Sequence, residues 1–360
     1  MTASARPDLD DKKNVAPSEL TRFVVDVFVQ AGMSSDHASA VAEALVWANL
    51  RGVDSHGVVR IPRYLEMIDR GLMNVDPKPT CREPSASSIV IEADRAAGPV
   101  VLTCAVRDVV ERARRHGLAV AVAVVGQMTH SGALGYYTQK AAAEGLACIA
   151  VNSGIPLMPY HGARGAALGT NPISIAVPGE HSDPIVFDMA SSAVSAGKLA
   201  LARKSGMPLD RGWAVDERGD PTIDPRAAAM SAPLGGPKGS GLALMIECLT
   251  SLLAGHPIVS EALRNTGDGS KHRQNAMLIA IDVARFVDLA VFRAQIGQLA
   301  AALKAMPRTI DSDDILLPGE RGYRAASRRR ADGIPLSPAT IAELSAVAER
   351  KHISPLVLRR

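Results

Sequence analysis

Ser55, His56, Arg60 and Tyr64 fall within fourteen residues, in the segment Arg51-Gly52-Val53-Asp54-Ser55-His56-Gly57-Val58-Val59-Arg60-Ile61-Pro62-Arg63-Tyr64. A histidine takes up or gives a proton near neutral pH. An arginine holds a carboxylate through two parallel hydrogen bonds. A proton shuttle beside a carboxylate clamp is what oxidation of a 2-hydroxy acid requires. Ser55 is either the cap of the helix that follows or a hydrogen-bond partner of the reacting group. Tyr64 comes one helical turn after Arg60 on the same face, where it lines the site or packs.

These residues need elements to hold them. Ser18 is placed to cap a helix running to about Ala31, with Phe23, Val24, Val27 and Phe28 on one face and Gly32 as its stop. Ser35 or Asp36 opens a second, Ala-rich helix that ends near Asn49 and Gly52. A third helix has Pro62 in its first turn and stops at Gly71. His56 then lies in the connection before that helix, close to its positive N-terminal end, a setting that suits an anion.

The middle of the chain alternates strands and helices. Ser88 to Ile91 reads as a strand, Val100 to Arg115 as a helix, and Leu118 to Val125 as a buried strand. The loop Gly126 to Gly132, which carries His130, precedes a helix from Ala133 to Ala143 and a strand from Leu146 to Val151. This is a βαβ unit, and its loop sits beyond the carboxyl end of a strand, where open α/β sheets put ligands. Asn152 to Pro172 is a long Gly- and Pro-rich loop of the kind that usually has a function. Strands follow at Ile173 to Val177 and Ile185 to Phe187, helices at Val194 to Lys204 and Gly241 to Leu253, a strand at Ala276 to Ile281, and helices at Leu289 to Met306 and Pro338 to Lys351. Asp188 ends a buried strand and is either a cap for the following turn or a carboxylate that orients a cofactor or a histidine. Lys238 stands at a helix N-terminus, a good pyrophosphate site.

Lys plus Arg number 40 against 37 Asp plus Glu, a balance that gives no argument for a nucleic-acid partner. Arg328-Arg329-Arg330 is too short to alter this and reads as a solvated surface turn. Aromatic residues make up 3% of the chain, too few for base-stacking platforms. The cysteines Cys81, Cys104, Cys148 and Cys248 form no CxxC, as expected of thiols in the reducing cytoplasm. There is no apolar run long enough for a membrane span and no apolar leader. A polar tail over residues 1–17 is expected to be disordered. No HExxH or close Cys/His spacing points to a metal. Neither GxGxxG nor GxxxxGK[ST] occurs, so the Rossmann fingerprint is absent.

Asp54-Ser55-His56-Gly57-x-x-Arg60-x-x-x-Tyr64 resembles the signature of the type 2 malate/L-lactate dehydrogenase family, which includes sulfolactate, ureidoglycolate and diketogulonate enzymes and reductases of cyclic imino acids. Thr129-His130-Ser131-Gly132-Ala133-Leu134-Gly135-Tyr136-Tyr137 is similar to that family's second histidine loop. Asn152-Ser153 with Pro156 and Leu168-Gly169-Thr170-Asn171-Pro172 resemble its central loop. Asp188-Met189-Ala190-Ser191-Ser192 with Gly197-Lys198, Gly235 to Gly241, and Leu317-Pro318-Gly319-Glu320-Arg321 complete the set in order.

The resemblance implies a nicotinamide-dependent oxidoreductase, with NAD as cofactor and NADP as the alternative, and a homodimer or dimers assembled further. It implies a non-Rossmann α/β fold, a three-layer mixed sheet of the sulfolactate dehydrogenase type. The sheet part is expected at 81–284, and a helical part for substrate and dimerisation at 18–80 plus 285–360. It implies catalytic roles for His56 and His130, with Ser55 and Asp188 in support, and substrate contacts from Arg60, Tyr64 and Thr170. It further implies a cofactor cradle of His130, Ser131, Gly132, Ala133, Leu134, Ser153, Thr170, Asp188, Met189, Ala190, Lys238, Gly239, Pro318, Gly319 and Glu320. His56 is the preferred proton carrier. Ser131 stands where many members carry an aromatic residue; the ureidoglycolate branch likewise carries a small residue there, which keeps that substrate in play. Lys198 stands where imine-reducing members tend to carry an acid, which favours a hydroxy acid.

Overall fold

A computed structural model describes residues 12–115, 119–181, 183–195, 198–199, 202–203, 206–265 and 273–359. The chain forms two compact units, one from the residues up to Asp76 together with Gly319–Arg360, the other from Pro77–Pro318.

The first unit is mainly helical. Strand β1 (Lys13–Val15) leads into α1 (Pro17–Gln30), α2 (Ser35–Leu50) and α3 (Ile61–Asp69). Leu20, Phe23, Val24, Val27 and Phe28 recur at helical spacing on α1, and all are fully buried. Each contributes about 1.5–3 kcal/mol of apolar burial. The small residues Ala38, Ala42 and Ala48 let α2 pack closely beside α1. Ser34 caps α2 by accepting from the His37 N–H at 3.2 Å, whereas α1 begins at Pro17 with no side-chain cap.

Three sequence expectations are corrected in this unit. The tail expected over residues 1–17 is described from residue 12, and there β1 pairs antiparallel with the strand Ile334–Leu336, Asn14 opposite Pro335; residues 1–11 lie outside the described residues. Arg328, Arg329 and Arg330 belong to a helix, Glu320–Asp332, and not to a turn. Its polar, Arg-rich sequence hides the helical period, because Ala326 is its only residue buried among the described ones. The helical part also begins at Gly319, not at residue 285.

The connection between α2 and α3 is built by side chains. Asn49 Nδ2 donates to Asp54 Oδ1 at 2.8 Å, and Asn49 Oδ1 accepts from the Val58 N–H at 2.8 Å. Arg329 holds both oxygens of Asp54, at 2.6 and 3.1 Å, and also donates to the Asn49 carbonyl. Arg51, 8% exposed, lies 3.7 Å over the Tyr323 ring and donates to the Gly319 carbonyl at 3.1 Å. Gly57 packs directly on Asn49, so that a Cβ there would meet Asn49 Oδ1 at 2.1 Å.

The second unit is organised by a seven-stranded mixed sheet in the order β2-β3-β4-β11-β5-β6-β7. Its strands are β2 (Thr80–Ser85), β3 (Ser88–Glu92), β4 (Val120–Met128), β5 (Leu146–Ser153), β6 (Ile173–Val177), β7 (Ile185–Met189) and β11 (Gln274–Asp282). A smaller sheet joins β8 (Ala214–Val215), β9 (Pro221–Thr222) and β10 (Met230–Ser231). Helices α4 (Gly98–Arg115) and α5 (Gly135–Ala143) pack on the main sheet, as do the helix Pro237–Glu247 and the π turn Cys248–Leu252 that extends it. Ile246 of that helix joins Val124, Val151 and Met277 of the three central strands in one apolar cluster. β4 and β11 are apolar on both faces because both faces are covered.

The expected βαβ unit is present but split. β4 and β5 run parallel across the α5 crossover, yet β11 lies between them, antiparallel to both. The sheet unit extends to Pro318, so the helix Leu289–Lys304 belongs to it. Gly145 meets Leu289, and Gly297 gives room to the Glu180 carboxylate. β4 runs on to Met128, through part of the expected 126–132 loop. The helix expected at 194–204 lies partly outside the described residues.

Gly57→Ala is expected to push Asn49 off Asp54 and Val58 and to lower stability by about 1–3 kcal/mol in urea unfolding. Val59→Ala, at an exposed neighbour, is expected to stay within about 0.5 kcal/mol.

Candidate active site

In the helical unit, the short turns Asp54–His56 and Val58–Arg60 place His56 and Arg60 before α3. Ser55 Oγ and His56 Nδ1 are 3.0 Å apart. Arg60 Nε donates to the Ser55 carbonyl at 2.6 Å, which fixes the guanidinium beside the histidine. Burial, and secondarily the Arg60 charge, push the His56 pKa down to about 4. The imidazole is therefore neutral at physiological pH. Burial also pulls Arg60 below the usual guanidinium value. Among the described residues no carboxylate lies within salt-bridge reach of Arg60. A half-buried guanidinium without an anion can take a carboxylate through two parallel hydrogen bonds. Tyr64 is fully buried, with its ring centroid 6.1 Å from that of Phe28, and burial raises its pKa. It packs in the core of the unit.

In the sheet unit, the His130 loop is fastened at nearly every backbone group. Thr129 donates its N–H and its hydroxyl to the Ala96 carbonyl, at 2.9 and 3.0 Å. The His130 carbonyl accepts from the Gly98 N–H at 3.2 Å. A Cβ on Gly98 would lie 2.4 Å from Ser131 Cα, so only glycine lets α4 start there. Tyr137 donates to the Ser131 carbonyl at 2.5 Å, and the Gly132 N–H donates to His130 Nδ1 at 3.3 Å. Ala133 and Leu134 are buried where α5 begins. Asp188 accepts from the Gly135 N–H at 2.8 Å, so it satisfies the first turn of α5 from the neighbouring strand.

A second group of expected residues gathers past the end of β7. Thr170, through its carbonyl, accepts from the Ser191 N–H at 3.0 Å, and the Ser191 carbonyl accepts from the Leu234 N–H at 2.9 Å. A Cβ on Gly239 would meet Leu234 N at 2.4 Å and Ser191 O at 2.5 Å, so glycine is what lets the helix Pro237–Glu247 start against this segment. Lys238 is exposed in the first turn of that helix, which has no side-chain cap. Met189 and Ala190, which precede Ser191, are half-buried. Pro318, at the edge of the unit, accepts from the Val186 N–H at 3.2 Å. Gly319 and Glu320 open the helix Glu320–Asp332 of the other unit, with Gly319 at a φ of 89°.

Ser153 is fully buried, and its hydroxyl is committed to Ser251 at 2.6 Å and Thr250 at 2.7 Å. The π turn delivers both of these hydroxyls. Glu247, which sequence reasoning passed over, accepts from Ser251 at 2.8 Å and from the Ile258 and Val259 N–H groups at 3.0 Å. Also missed were His256, which lies 2.8 Å from Glu92, and the pair Gln274 and Asn275. Such residues leave no motif, because their partners lie on other elements.

The loops can hold an anionic cofactor. Gly236 enters the helix Pro237–Glu247 at a φ of 63°, and the exposed Lys238 ammonium at the positive end of that helix suits a phosphate. Two buried polar atoms in these segments, Asn152 Oδ1 and Ser191 Oγ, have no hydrogen-bond partner among the described residues. Lys198, exposed, lies over the Trp213 ring at 5.1 Å.

The malate/L-lactate dehydrogenase family model matches residues 15–345. The chain is 34% identical to the NAD(+) ureidoglycolate dehydrogenase of Escherichia coli O157:H7, over 85% of this chain and 87% of that one. It is 31% identical to a delta(1)-pyrroline-2-carboxylate reductase of Ancylobacter novellus, over 95% and 99%. Among solved structures, sulfolactate dehydrogenase from Methanocaldococcus jannaschii superposes with a TM-score of 0.85 at 28% identity, covering 95% of this chain and 98% of that one. The mixed-sheet fold is thus that of solved dehydrogenases, and the chain belongs to the malate/L-lactate dehydrogenase family.

Proposed function

We propose that this protein is an NAD-dependent dehydrogenase that interconverts a small 2-hydroxy acid and the matching 2-oxo acid. The observation that carries this reading is Arg60: a half-buried guanidinium with no carboxylate partner among the described residues, fixed beside a histidine that is neutral at pH 7. Arg60 takes the substrate carboxylate. Neutral His56 removes the hydroxyl proton, and in the reverse direction its imidazolium returns a proton to the 2-oxo oxygen. The Ser55 hydroxyl can donate to or accept from Nδ1, so it serves both protonation states. At His130 the Gly132 N–H donates to Nδ1, which favours the neutral ring with its proton on Nε2. That ring is suited to donating a hydrogen bond to the substrate oxygen.

The nicotinamide cofactor supplies hydride acceptance and donation when bound. Ser131, Gly132, Ala133 and Leu134, with Thr170, Asp188, Met189, Ala190, Lys238, Gly239 and Pro318, would hold it. The helix start at Lys238 takes phosphate, and Asp188 keeps the His130 loop in place through α5. NADP is the alternative cofactor. We also read the protein as cytoplasmic, supported by its free cysteines. A homodimer is supported by the exposed apolar residues Leu244, Met245, Leu249 and Leu252.

A second reading, a ureidoglycolate dehydrogenase, is favoured by the small residue Ser131 beside His130. Absorbance of NADH and NADPH with pyruvate, oxaloacetate, glyoxylate and piperideine-2-carboxylate, and NAD+ reduction with ureidoglycolate, separates the readings. Turnover of the imino acid alone would overturn the hydroxy-acid reading.

His56→Ala is expected to lower kcat by about 10²–10⁴, and a loss below about tenfold removes it as the acid/base group. Arg60→Ala is expected to raise KM for the carboxylate substrate; unchanged KM and kcat would remove it from the site.

Because His56 titrates near pH 4, kcat/KM for oxidation is expected to be level from about pH 6 to 8 and to fall tenfold per unit below about pH 4. An inflection near 6.5, the value of an unperturbed histidine, would contradict the neutral, desolvated imidazole.

A further inference from the structure

β11 starts with two amides, Gln274 and Asn275, inserted between the ends of β4 and β5. The pairing slips here: Gln274 faces Met128, yet Ala276 faces Val125, so β4 carries one extra residue. The bulge falls at Gly126 and Gln127, and Gln127 has a φ of 55°. It leaves the Gln127 N–H without a place in the ladder, and Asn275 Oδ1 accepts it at 2.9 Å. Asn275 is fully buried and its Nδ2 reaches Ser251 Oγ and the His256 carbonyl, both at 3.0 Å. Successive residues of a strand point to opposite faces. Gln274 therefore serves the other side, toward the loop that the bulge redirects.

We propose that Gln274 is a positioning residue for His130. Its Oε1 accepts from the Ser131 N–H at 2.9 Å and from Asn152 Nδ2 at 3.2 Å. A backbone N–H can only donate, so the atom facing Ser131 is the oxygen, and the Asn152 amide must then present its nitrogen. Ser131 is 3% exposed, so no bulk water replaces this acceptor. The Ser131 nitrogen is bonded to the His130 carbonyl carbon. Loss of the acceptor turns that peptide, and the imidazole turns with it. The other anchors of the loop hold Thr129 and the His130 and Ser131 carbonyls, and among the described residues they leave this N–H to Gln274. One carboxamide thus ties together the ends of both parallel strands. The proposal rests on the reading that His130 acts on the substrate.

The test compares Gln274→Met, which keeps the volume and removes the acceptor, with Gln274→Glu, which keeps an oxygen there. Both are assayed with NADH and the 2-oxo acid that turns over fastest. Expected are a kcat for Gln274→Met lowered about 10–100-fold with KM for the acid within about threefold, and a kcat for Gln274→Glu within about threefold of the parent. In a His130→Ala background, Gln274→Met is expected to cost nothing further. Equal melting temperatures of the two variants show that the difference is not one of folding. A kcat for Gln274→Met within threefold of the parent, a Gln274→Glu variant as slow as Gln274→Met, or the full loss repeated without His130 would overturn the proposal. If His130→Ala itself keeps full activity, the role of His130 fails, and Gln274 is judged by NMR instead. The His130 ring resonances, assigned by their loss in His130→Ala, are expected to move in Gln274→Met and to stay in Gln274→Glu; unmoved resonances in Gln274→Met overturn the proposal.

Discussion

The antiparallel insertion of β11 between two parallel strands is the constraint on which the sheet unit depends. β4 and β5 are joined by a short crossover through α5 and would pair directly in a simple βαβ unit. With β11 between them, their carboxyl ends are held one strand apart, on either side of the amino end of β11. A strand beginning where its neighbours end brings its own first side chains to the loops that leave them. Those side chains are amides, able to donate and accept at once, and they satisfy the N–H groups that a bulge and a tight loop leave over. An apolar pair at these positions would leave buried donors unpaired, at about 1–3 kcal/mol each.

The helical unit solves a different problem, that of keeping a cation half-buried without an anion. Arg329 neutralises Asp54 through two hydrogen bonds, so Asp54 is not available to Arg60. Arg60 spends one donor on the Ser55 carbonyl, a neutral acceptor that orients it without discharging it. The same guanidinium helps to hold His56 neutral. On the proposed function, the turn keeps one positive charge for an incoming carboxylate and one neutral imidazole for a proton.

Much of this was legible in the sequence, in two ways. Periodicity placed α1, α2, α4 and the strands β4 and β5, because each has a regular apolar pattern or run. Motif order placed the loops around His56, His130, Asp188 and Lys238. What escaped has a physical cause in each case. The helix Glu320–Asp332 buries almost nothing and so has no apolar period, although Arg329 and Tyr323 are partners that the Asp54 turn and Arg51 require. β1 is only three residues long, and its partner strand lies more than 300 residues away. β11 was readable as a strand, but not its place in the sheet, since direction and neighbours are not written in its own pattern.

Glycines show the same division between local and non-local information. Gly319, at a φ of 89°, belongs to the family of chain-turning glycines that a motif reveals. Gly57, Gly98 and Gly239 have no positive φ and are required for a different reason: each gives way to an atom far along the chain or on another element, Asn49 Oδ1, Ser131 Cα and Ser191 O respectively. A local reading assigns them to turns. Their function is close approach, and it sets where the His56 turn, the His130 loop and the Lys238 helix start can lie. The reactive residues are therefore placed less by their own conformational preferences than by the absence of side chains at positions opposite them.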